Sequence, residues 1–544
     1  IKKNFSSAEF FYNKNDLDNA IKICNSILTE DNNNLDAINL LVDINLKLKN
    51  FTEALKYIDS SIDKDNKNFK SFFKKSILLL NLKKTKEALQ NIDHAIYLNG
   101  KNPELFNLKG IIHENLNEDK IALENWNKAI SFKKDYAEVY FNLANYYSFN
   151  ENYELSLENY NKALEINKKY FLALVNRATL YLKNQKYQLA LLDYNLIIEQ
   201  NPKIARMHYN KGSILNHLNQ KKASVQSLNK AIELKPNFAR AFFLRGIVAW
   251  QLKLYEQALL DMEKAYSLKK DVHFLNSLII LKSILCDWNN IKKYQKELIE
   301  FIKSEKQTEY PIFIQNFEDS PEFEQKASIL YSKNFRSFSK PKLKKKKKKI
   351  RLGYYSADFR DHATSNLITR VFELHNKENF EVIAFSFCPL NNNDLVQKRI
   401  INSCDKFIDV HNKTDKEISL ISKDLEIDIA LDLMGFANNN RHNIFSLGCA
   451  PIQVNYLGYP GTCSSEFMDY IIADKTLISK ENKKFFSEKI IFLPKTYQPN
   501  DNKKEISKKE ISKKDYDLPD DKFIFCGFNR SYKITSKMLV IWSD

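Results

Sequence analysis

The sequence predicts two architectures in one chain: an α-helical solenoid over residues 1–270 and an α/β region from residue 350. Small residues that recur every 34 positions predict the solenoid, because that period is typical of stacked two-helix units. Strand candidates that alternate with helix-length segments predict a parallel sheet wound with helices in the second region. The 10 glycines in 544 residues agree with a chain that is largely helical.

Two series of mostly small residues define the repeat. The first is Ala8, Val42, Ser76, Gly110, Ala144, Ala178, Gly212 and Gly246, and the second, twelve residues later, is Ala20, Ala54, Ala88, Ala122, Ser156, Ala190, Ser224 and Ala258. A period of 34 marks the tetratricopeptide repeat. We therefore place the first series on the first helix of each unit and the second on the second helix, where small side chains let helices pack closely. Because Ala8 already occupies the middle of a helix, we expect about eight repeats with the first one incomplete.

Three asparagines also lie 34 residues apart, at Asn142, Asn176 and Asn210. Equal positions of successive repeats stack on one face of a solenoid. A side-chain amide can both donate and accept a hydrogen bond, so a ladder of asparagines could hold an extended peptide backbone. The alternative is ordinary solvated asparagines in an Asn-rich chain, and the spacing alone leaves both interpretations open.

Composition narrows the classes of partner. The net charge of +17 includes six consecutive lysines, Lys344–Lys349, which we interpret as a solvated hinge within a helical transition segment and linker over 271–349. Nucleic-acid or anionic-surface binding is a weaker alternative, since no element that could read a nucleic-acid sequence accompanies the lysines.

Seven scattered cysteines favour a reducing, cytoplasmic location without a disulfide framework or zinc site. No apolar run is long enough for a membrane span.

The α/β region directs attention to three loops. Its strand candidates are Ile350–Tyr355, Phe380–Phe387, Ile427–Leu433, Ile452–Leu457, Tyr470–Ala473 and Lys489–Leu493. Ligands of open α/β sheets bind beyond the carboxyl ends of strands, so the loops after Tyr355, Leu433 and Leu457 form the candidate site. The sequence contains no G-x-G-x-x-G or Walker motif, which argues against a standard dinucleotide or ATP site.

The first loop ends at His362, ahead of a helix start that Thr364 or Ser365 would cap. A helix N-terminus suits a phosphate group, and a histidine there could move protons or hydrogen-bond to a substrate. A purely polar capping loop is the alternative. The third loop is a stiff turn that can bring its backbone close to a ligand; it consists of Gly458, Tyr459, Pro460, Gly461 and Thr462.

Three segments resemble the protein O-GlcNAc transferase family. They are GYYSADFRDHATS from residue 353, the stretch from ALDLMGF to FMDYIIAD over residues 430–474, and FCGFNRSYKI from residue 525. The resemblance covers about residues 350–544, with the repeats preceding it in the family's usual order. Plant-type O-fucosyltransferases share this architecture, but Gly461 and Tyr532 are more similar to the GlcNAc enzymes.

The resemblance implies a two-lobed GT-B glycosyltransferase, with the N-terminal lobe over 350–515 and the start of the C-terminal lobe over 516–544. Such an enzyme would transfer GlcNAc from UDP-GlcNAc to Ser or Thr hydroxyls with inversion, without a metal or other cofactor. It implies His362 and Lys533 as catalytic candidates: the histidine positions the substrate and the lysine contacts the donor diphosphate. The implied substrate-binding residues are Thr364, Ser365, Gly458, Tyr459, Pro460, Gly461, Thr462 and Arg530, and the asparagine ladder Asn142, Asn176 and Asn210 would hold acceptor proteins inside the repeat superhelix.

Several positions depart from the family pattern. Arg530 stands where the family has a glutamine, and Asp428 and Asn366 stand where it has histidines. The chain ends at Asp544, inside a helix that begins near Thr535, so we expect only the first strand of the C-terminal lobe, Phe523–Phe528, to be present. An inactive repeat scaffold and a protein O-fucosyltransferase therefore remain alternatives, and a homo-oligomer stays an open expectation.

Overall fold

The computed structural model describes residues 2–304, 311, 320–343, 348–437, 439–504, 511–526 and 533–543, with side chains from residue 5. Four lysines of the basic run, at 344–347, lie outside the described residues. The chain divides into two units, Ile1–Val248 and Ala249–Asp544. The predicted fold class is confirmed, since a helical solenoid is followed by a parallel sheet.

The first unit consists of consecutive helical hairpins. Its helices are α1 (Lys2–Asn13), α2 (Leu17–Glu30), α3 (Leu35–Lys47), α4 (Phe51–Lys64), α5 (Phe69–Asn81), α6 (Thr85–Leu98), α7 (Pro103–Asn115), α8 (Asp119–Phe132), α9 (Ala137–Phe149), α10 (Tyr153–Ile166), α11 (Phe171–Lys183), α12 (Tyr187–Gln200), α13 (Ala205–His217) and α14 (Lys221–Leu234). A further helix, α15 (Ala239–Gln251), crosses the boundary between the units. The first small-residue series lies on the odd-numbered helices as predicted.

Small side chains occupy the contacts inside each hairpin. A Cβ added at Gly110 would lie 2.5 Å from Nε1 of the buried Trp126, so only glycine fits there. Serines replace alanine in this series because their hydroxyl finds a partner in the same hairpin. The Ser156 hydroxyl, for example, donates to the Ala144 carbonyl at 2.8 Å, twelve residues away. The spacing of twelve between the two series is therefore a packing contact.

Each hairpin turn contains one left-handed residue. These residues recur every 34 positions with φ between 56° and 62°, at Asn15, Lys49, Lys83, Asn117, Glu151, Gln185, Asn219 and Lys253. Asparagine adopts this conformation more readily than other non-glycine residues. The lysines, the glutamate and the glutamine are held there by the helices on both sides, which explains why the turn residues gave no sequence signal.

The second unit begins with helices and continues into the sheet. Its helices are α16 (Tyr255–Leu268), α17 (Val272–Ile284), α18 (Ile291–Lys303), α19 (Pro321–Ser332), α20 (Ala363–Leu374), α21 (Leu395–Ser403), α22 (Asp415–Asp424), α23 (Asn443–Ser446) and α24 (Ser536–Ser543). Helix α24 confirms the helix predicted from about Thr535. Single 3₁₀ turns lie at Asn482–Phe485 and Lys513–Tyr516.

The sheet is parallel throughout, in the order β3-β2-β1-β4-β5-β6-β7. Its strands are β1 (Ile350–Ser356), β2 (Phe380–Ser386), β3 (Lys406–Asp409), β4 (Ile429–Asp432), β5 (Ile452–Asn455), β6 (Tyr470–Ala473) and β7 (Lys489–Phe492). The six predicted strands are all present. Sequence analysis missed β3, whose four residues KFID lie at the edge of the sheet and carry too little apolar pattern to predict a strand.

Residues that precede the predicted lobe pack directly on the sheet domain. The ring of Tyr331 in α19 lies 4.7 Å from that of Phe436, and Phe335 stacks on the same ring at 6.2 Å. The Phe338 N–H donates to the Ser446 carbonyl at 2.8 Å. The sequence analysis began the lobe at residue 350, whereas α19 and the residues after it already contribute to its core.

The strand predicted at Phe523–Phe528 is not present over its described part. Residues 523–526 form no strand, Phe523 and Phe525 are more than 80% exposed, and the remaining residues lie outside the described part of the chain. A strand needs a neighbour to pair its N–H and C=O groups. Among the described residues none pairs with this segment, so the prediction is wrong for residues 523–526.

Candidate functional site

The candidate site lies at the carboxyl edge of the central strands. β1 lies between β2 and β4, and the chain changes direction across the sheet at β1 and β4. Asp432 pairs in register with Tyr355 of β1 and with Asn455 of β5, so the three predicted loops leave the same edge side by side. This is the topological switch point at which open α/β sheets bind ligands.

His362 is the N-cap of α20. Its Nδ1 atom lies 3.3 Å from Asp358 Oδ2 and 3.4 Å from the Thr364 N–H, and about a third of the side chain is exposed. Nδ1 serves one of these two partners at a time: with its proton directed at the Asp358 carboxylate, Nε2 keeps its lone pair, and when Nδ1 instead accepts from the Thr364 N–H, the proton of the neutral ring lies on Nε2. The imidazole is thus oriented by its own loop while its outer edge remains accessible. In the tautomer that donates to Asp358, Nε2 can accept a hydrogen bond from a hydroxyl.

The two helix-start residues next to His362 have different roles. Thr364 is half-buried, and its backbone N–H is directed at His362 Nδ1, the position that a helix cap occupies. Ser365 is buried, and its hydroxyl donates to the Asp358 carbonyl. The cap is therefore His362 itself rather than Thr364 or Ser365. The Ser365 side chain holds the loop together and does not face solvent.

Glycines in the third loop permit close backbone contacts. A Cβ at Gly458 would lie 2.0 Å from the Leu433 carbonyl oxygen, and one at Gly461 would lie 1.8 Å from Oε1 of Glu324 in α19. Leu457, which precedes the turn, has a φ of 72°, a strained value for leucine. The turn is therefore pressed between the end of β4 and α19, and its path is tightly determined.

The larger side chains of this turn point into the protein. Tyr459 is fully buried, and its hydroxyl lies 3.1 Å from Glu324 Oε1 and 3.3 Å from Ser328 Oγ. Burial raises the pKa of the Tyr459 phenol well above its ordinary value, so it stays protonated. The Thr462 hydroxyl, 2% exposed as a residue, donates to Glu488 at 2.6 Å. These two predicted binding residues fix the turn, whereas Gly458 and Pro460 remain partly exposed.

A buried polar cluster behind β4 was missed by sequence analysis. His442 Nδ1 lies 3.2 Å from Asp432 Oδ2, and its Nε2 lies 3.4 Å from Ser465 Oγ. The order of groups resembles a nucleophile triad, but the Ser465 hydroxyl donates to the Cys463 carbonyl at 2.9 Å and all three residues are buried. The cluster therefore ties the second and third loops together. The histidine directly after Arg441 was a visible signal, but its partner is remote in sequence.

The second loop contacts the first through Met434. Its sulfur lies 3.4 Å from the Ala357 N–H and 3.6 Å from the Ser356 hydroxyl. Gly435, with a φ of 51°, approaches Tyr459 so closely that a Cβ would lie 2.6 Å from the tyrosine Cβ. Contacts thus run continuously from the His362 loop to the 458–462 turn. The structure brings together the three loops that the sequence predicted.

The predicted diphosphate contact is not assembled with these loops. Lys533 is exposed, and within the described residues its side chain makes no hydrogen bond or ion pair with the three loops. Arg530 lies outside the described residues. The roles of both residues stay predictions.

The three asparagines of the solenoid lie on α9, α11 and α13, all half-buried. Asn142 donates to Asn107 Oδ1 at 2.9 Å, Asn176 to Asn145 Oδ1 at 2.8 Å and Asn210 to the Tyr194 hydroxyl at 2.9 Å. Each amide thus uses one of its two N–H groups within the solenoid and is held in a fixed orientation. Whether they hold a peptide stays a prediction.

Among the described residues no group of three or more His, Cys, Asp or Glu side chains could hold a metal ion. None of the helices in the described part of the chain is long and apolar enough to cross a bilayer.

Three protein families match parts of the chain. Glycosyl transferase family 41 matches residues 323–513, so the match includes most of α19 and all seven strands. The tetratricopeptide repeat family matches residues 137–170, 205–238 and 239–272, and the family of anaphase-promoting complex subunit 3 matches residues 13–95.

Named relatives cover part of the chain. A probable UDP-N-acetylglucosamine–peptide N-acetylglucosaminyltransferase of Arabidopsis thaliana, SEC, is 35% identical over 202 residues, 36% of this chain and 21% of the relative. A Caenorhabditis elegans protein named UDP-N-acetylglucosamine–peptide N-acetylglucosaminyltransferase is 32% identical over 151 residues, 27% of this chain and 13% of the relative. The aligned segments thus span about a fifth or less of these two relatives.

A variant of the Thermobaculum terrenum O-GlcNAc transferase has a TM-score of 0.42 and 18% identity, covering 69% of this chain and 65% of that one. The repeats, the family 41 match and the two named relatives agree with the resemblance of the sequence motifs. Residues 323–513 are thus similar to glycosyl transferase family 41, and matches to the tetratricopeptide repeat lie ahead of them.

Proposed function

We propose that this protein is a protein O-glycosyltransferase that transfers GlcNAc from UDP-GlcNAc to Ser or Thr hydroxyls, with inversion and without a metal ion. The observation that carries the proposal is the family 41 match over residues 323–513, which contains the three loops at the carboxyl edge of β1, β4 and β5. The names of the Arabidopsis and Caenorhabditis relatives indicate UDP-GlcNAc as the donor and a peptide as the acceptor.

In this reaction the acceptor oxygen forms a bond to the anomeric carbon while the bond from that carbon to the UDP oxygen breaks. The hydroxyl proton passes to water, and negative charge grows on the departing diphosphate. His362, oriented by Asp358 at 3.3 Å, would hold the acceptor hydroxyl through Nε2 and act mainly by positioning. The ammonium of Lys533 would stabilise the charge on the leaving diphosphate.

The rigid turn at 458–462 would form the wall against which the acceptor and sugar are held. Its path is determined by Gly458 against Leu433 and by Tyr459 against α19. A fixed wall reduces the entropy lost when two substrates are brought into reacting geometry. The solenoid would supply acceptor protein through Asn142, Asn176 and Asn210, and we place the activity in the cytoplasm.

A donor panel tests this proposal. The full-length protein is incubated with a Ser/Thr peptide and UDP-GlcNAc, UDP-GalNAc, UDP-glucose or GDP-fucose, with and without EDTA, and the products are read by mass spectrometry. We expect the mass increment of one N-acetylhexosamine with UDP-GlcNAc, unchanged by EDTA. Transfer from GDP-fucose alone would replace this proposal with O-fucosylation, and no transfer from any donor would favour the inactive scaffold.

A further inference from the structure

A cavity of about 250 Å³ opens between α9 and α11, the first helices of two neighbouring repeats. The buried residues Tyr160 and Leu180 line its inner part, and Phe149 lines it with 87% of its surface exposed. A cavity of about 150 Å³ can hold a benzene ring. This one therefore has room for an aromatic or large aliphatic side chain.

Phe149 departs from the repeat pattern in a way that marks this cavity. The same position in the other repeats is polar in every case, as Asn13, Lys47, Asn81, Asn115, Lys183, His217 and Gln251. An exposed phenylalanine at the end of α9 gains nothing for folding, since its ring remains in water. An aromatic side chain in an otherwise polar position, next to an open cavity, is typical of a binding surface.

The polar side of the cavity is oriented by hydrogen bonds. Asn145 Oδ1 accepts from the Tyr160 hydroxyl at 2.6 Å and from Asn176 Nδ2 at 2.8 Å. Because both partners are donors, they fix which end of the Asn145 amide is oxygen, and its Nδ2 group faces away from them. That group can donate to a backbone carbonyl of a chain that enters the cavity.

Of the described residues that line the cavity, Lys183 alone is charged. Lys183, at the end of α11, lines the cavity, is exposed and makes no ion pair within the described residues. An aspartate or glutamate next to the inserted side chain would meet this ammonium. A lysine or arginine at the same place would be repelled.

We propose that this cavity is a side-chain pocket for acceptor polypeptides that carry an aromatic or large aliphatic residue directly beside an aspartate or glutamate. Phe149, Tyr160 and Leu180 enclose the apolar side chain, Asn145 holds the backbone beside it, and Lys183 pairs with the carboxylate. The inference rests on the proposed function for the presence of an acceptor polypeptide. It goes beyond that function in naming the class of acceptor that this repeat selects.

The test is binding without donor, so that it is independent of sugar transfer. Fluorescein-labelled Ser/Thr peptides that differ only in the sequence Phe-Asp, Ala-Asp or Phe-Lys are titrated with the full chain by fluorescence polarisation. We expect the Phe-Asp peptide to bind at least about fivefold more tightly than the other two, and Phe149→Ala to remove most of that preference. Lys183→Glu should weaken the Phe-Asp peptide and strengthen the Phe-Lys peptide.

Tyr97→Ala is the matched control, because Tyr97 is 84% exposed on α6 and lies outside the cavity. It should leave all three affinities within about twofold. Equal affinities of the three peptides for the wild-type chain, or a charge reversal at Lys183 that affects the Phe-Asp and Phe-Lys peptides alike, would overturn the pocket. Selective binding without sugar transfer in the donor panel would instead leave the pocket standing and count against the proposed function.

Discussion

Gly458→Ala isolates the contact that holds the third loop against the end of β4. The φ of Gly458 lies outside the left-handed region, so alanine is allowed by the backbone and only the added methyl group is tested. That methyl carbon would lie 2.0 Å from the Leu433 oxygen and 3.0 Å from the Leu433 carbonyl carbon, both backbone atoms. Ordinary contact requires a separation of at least about 3.4 Å, so the loop must move away by more than about 1 Å.

The expected loss in the free energy of unfolding follows from the contacts that this movement of the loop disrupts. Overpacking of this kind costs about 1–3 kcal/mol. The bond from the Tyr456 N–H to the Asp432 carbonyl, 3.0 Å long, lies beside the clash and contributes about 1 kcal/mol. The reduced freedom of alanine in the unfolded chain offsets about 0.5–1 kcal/mol. We therefore expect a net loss of about 2 kcal/mol, concentrated at the ends of β4 and β5.

Hydrogen exchange followed by mass spectrometry measures the loss of stability segment by segment. Peptides that contain residues 429–433 and 452–458 should show an opening equilibrium raised by roughly 30-fold, while peptides of the solenoid are unchanged. Gly100→Ala is the control, since its Cβ would meet only the Ile96 carbonyl at 3.5 Å. Equal exchange in Gly458→Ala and wild type would refute the argument that the turn is pressed against β4.

Three further changes test other parts of the fold. Lys83→Gly should stabilise the solenoid by about 0.5–1 kcal/mol in urea unfolding, because Lys83 holds a φ of 61°; a loss of stability would contradict this. Asp193→Asn should cost about 3 kcal/mol, because it leaves the partly buried Arg177 without the carboxylate that now lies 2.6 Å away; a cost below about 1 kcal/mol would show that the pair is dispensable. The hydrogen bond from Arg399 lowers the pKa of Asp501, so this carboxylate stabilises the fold above about pH 4, and that contribution is lost as the pH falls through the lowered pKa. In Asp501→Asn the free energy of unfolding should therefore fall less steeply as the pH is lowered below about 4. The same pH dependence in this variant and in wild type would contradict a stabilising role of the Asp501 carboxylate.

Sequence analysis predicted the solenoid helix by helix because its register is set by local packing. A position such as Gly110 must be small wherever the partner helix presents a residue such as Trp126. The three loops were also predictable, since the carboxyl ends of parallel strands share one edge of the sheet. The predictions of the solenoid and of the three loops depend only on residue spacing and on the order of strands and helices, and both can be read from the sequence.

The direction of individual side chains at the site was not predictable. Tyr459 was predicted among the substrate- or donor-binding residues, and its side chain is buried against Glu324, a residue more than a hundred positions earlier in the chain. The contacts of His442 with Asp432 and Ser465 likewise depend on the folded path of two loops. Such partners carry no local pattern, so only the structure reveals them.

The most direct test of the sugar-transfer site compares two histidines in the full-length protein. His362 follows β1 and lies 3.3 Å from Asp358, whereas His411 follows the edge strand β3 and lies 2.6 Å from Asp409, with nearly equal exposure. With UDP-GlcNAc and a Ser/Thr peptide, we predict that His362→Ala lowers kcat/KM by about 100-fold or more. His411→Ala should change it by less than about threefold. Equal effects of the two substitutions would contradict a sugar-transfer site at the edge of β1, β4 and β5.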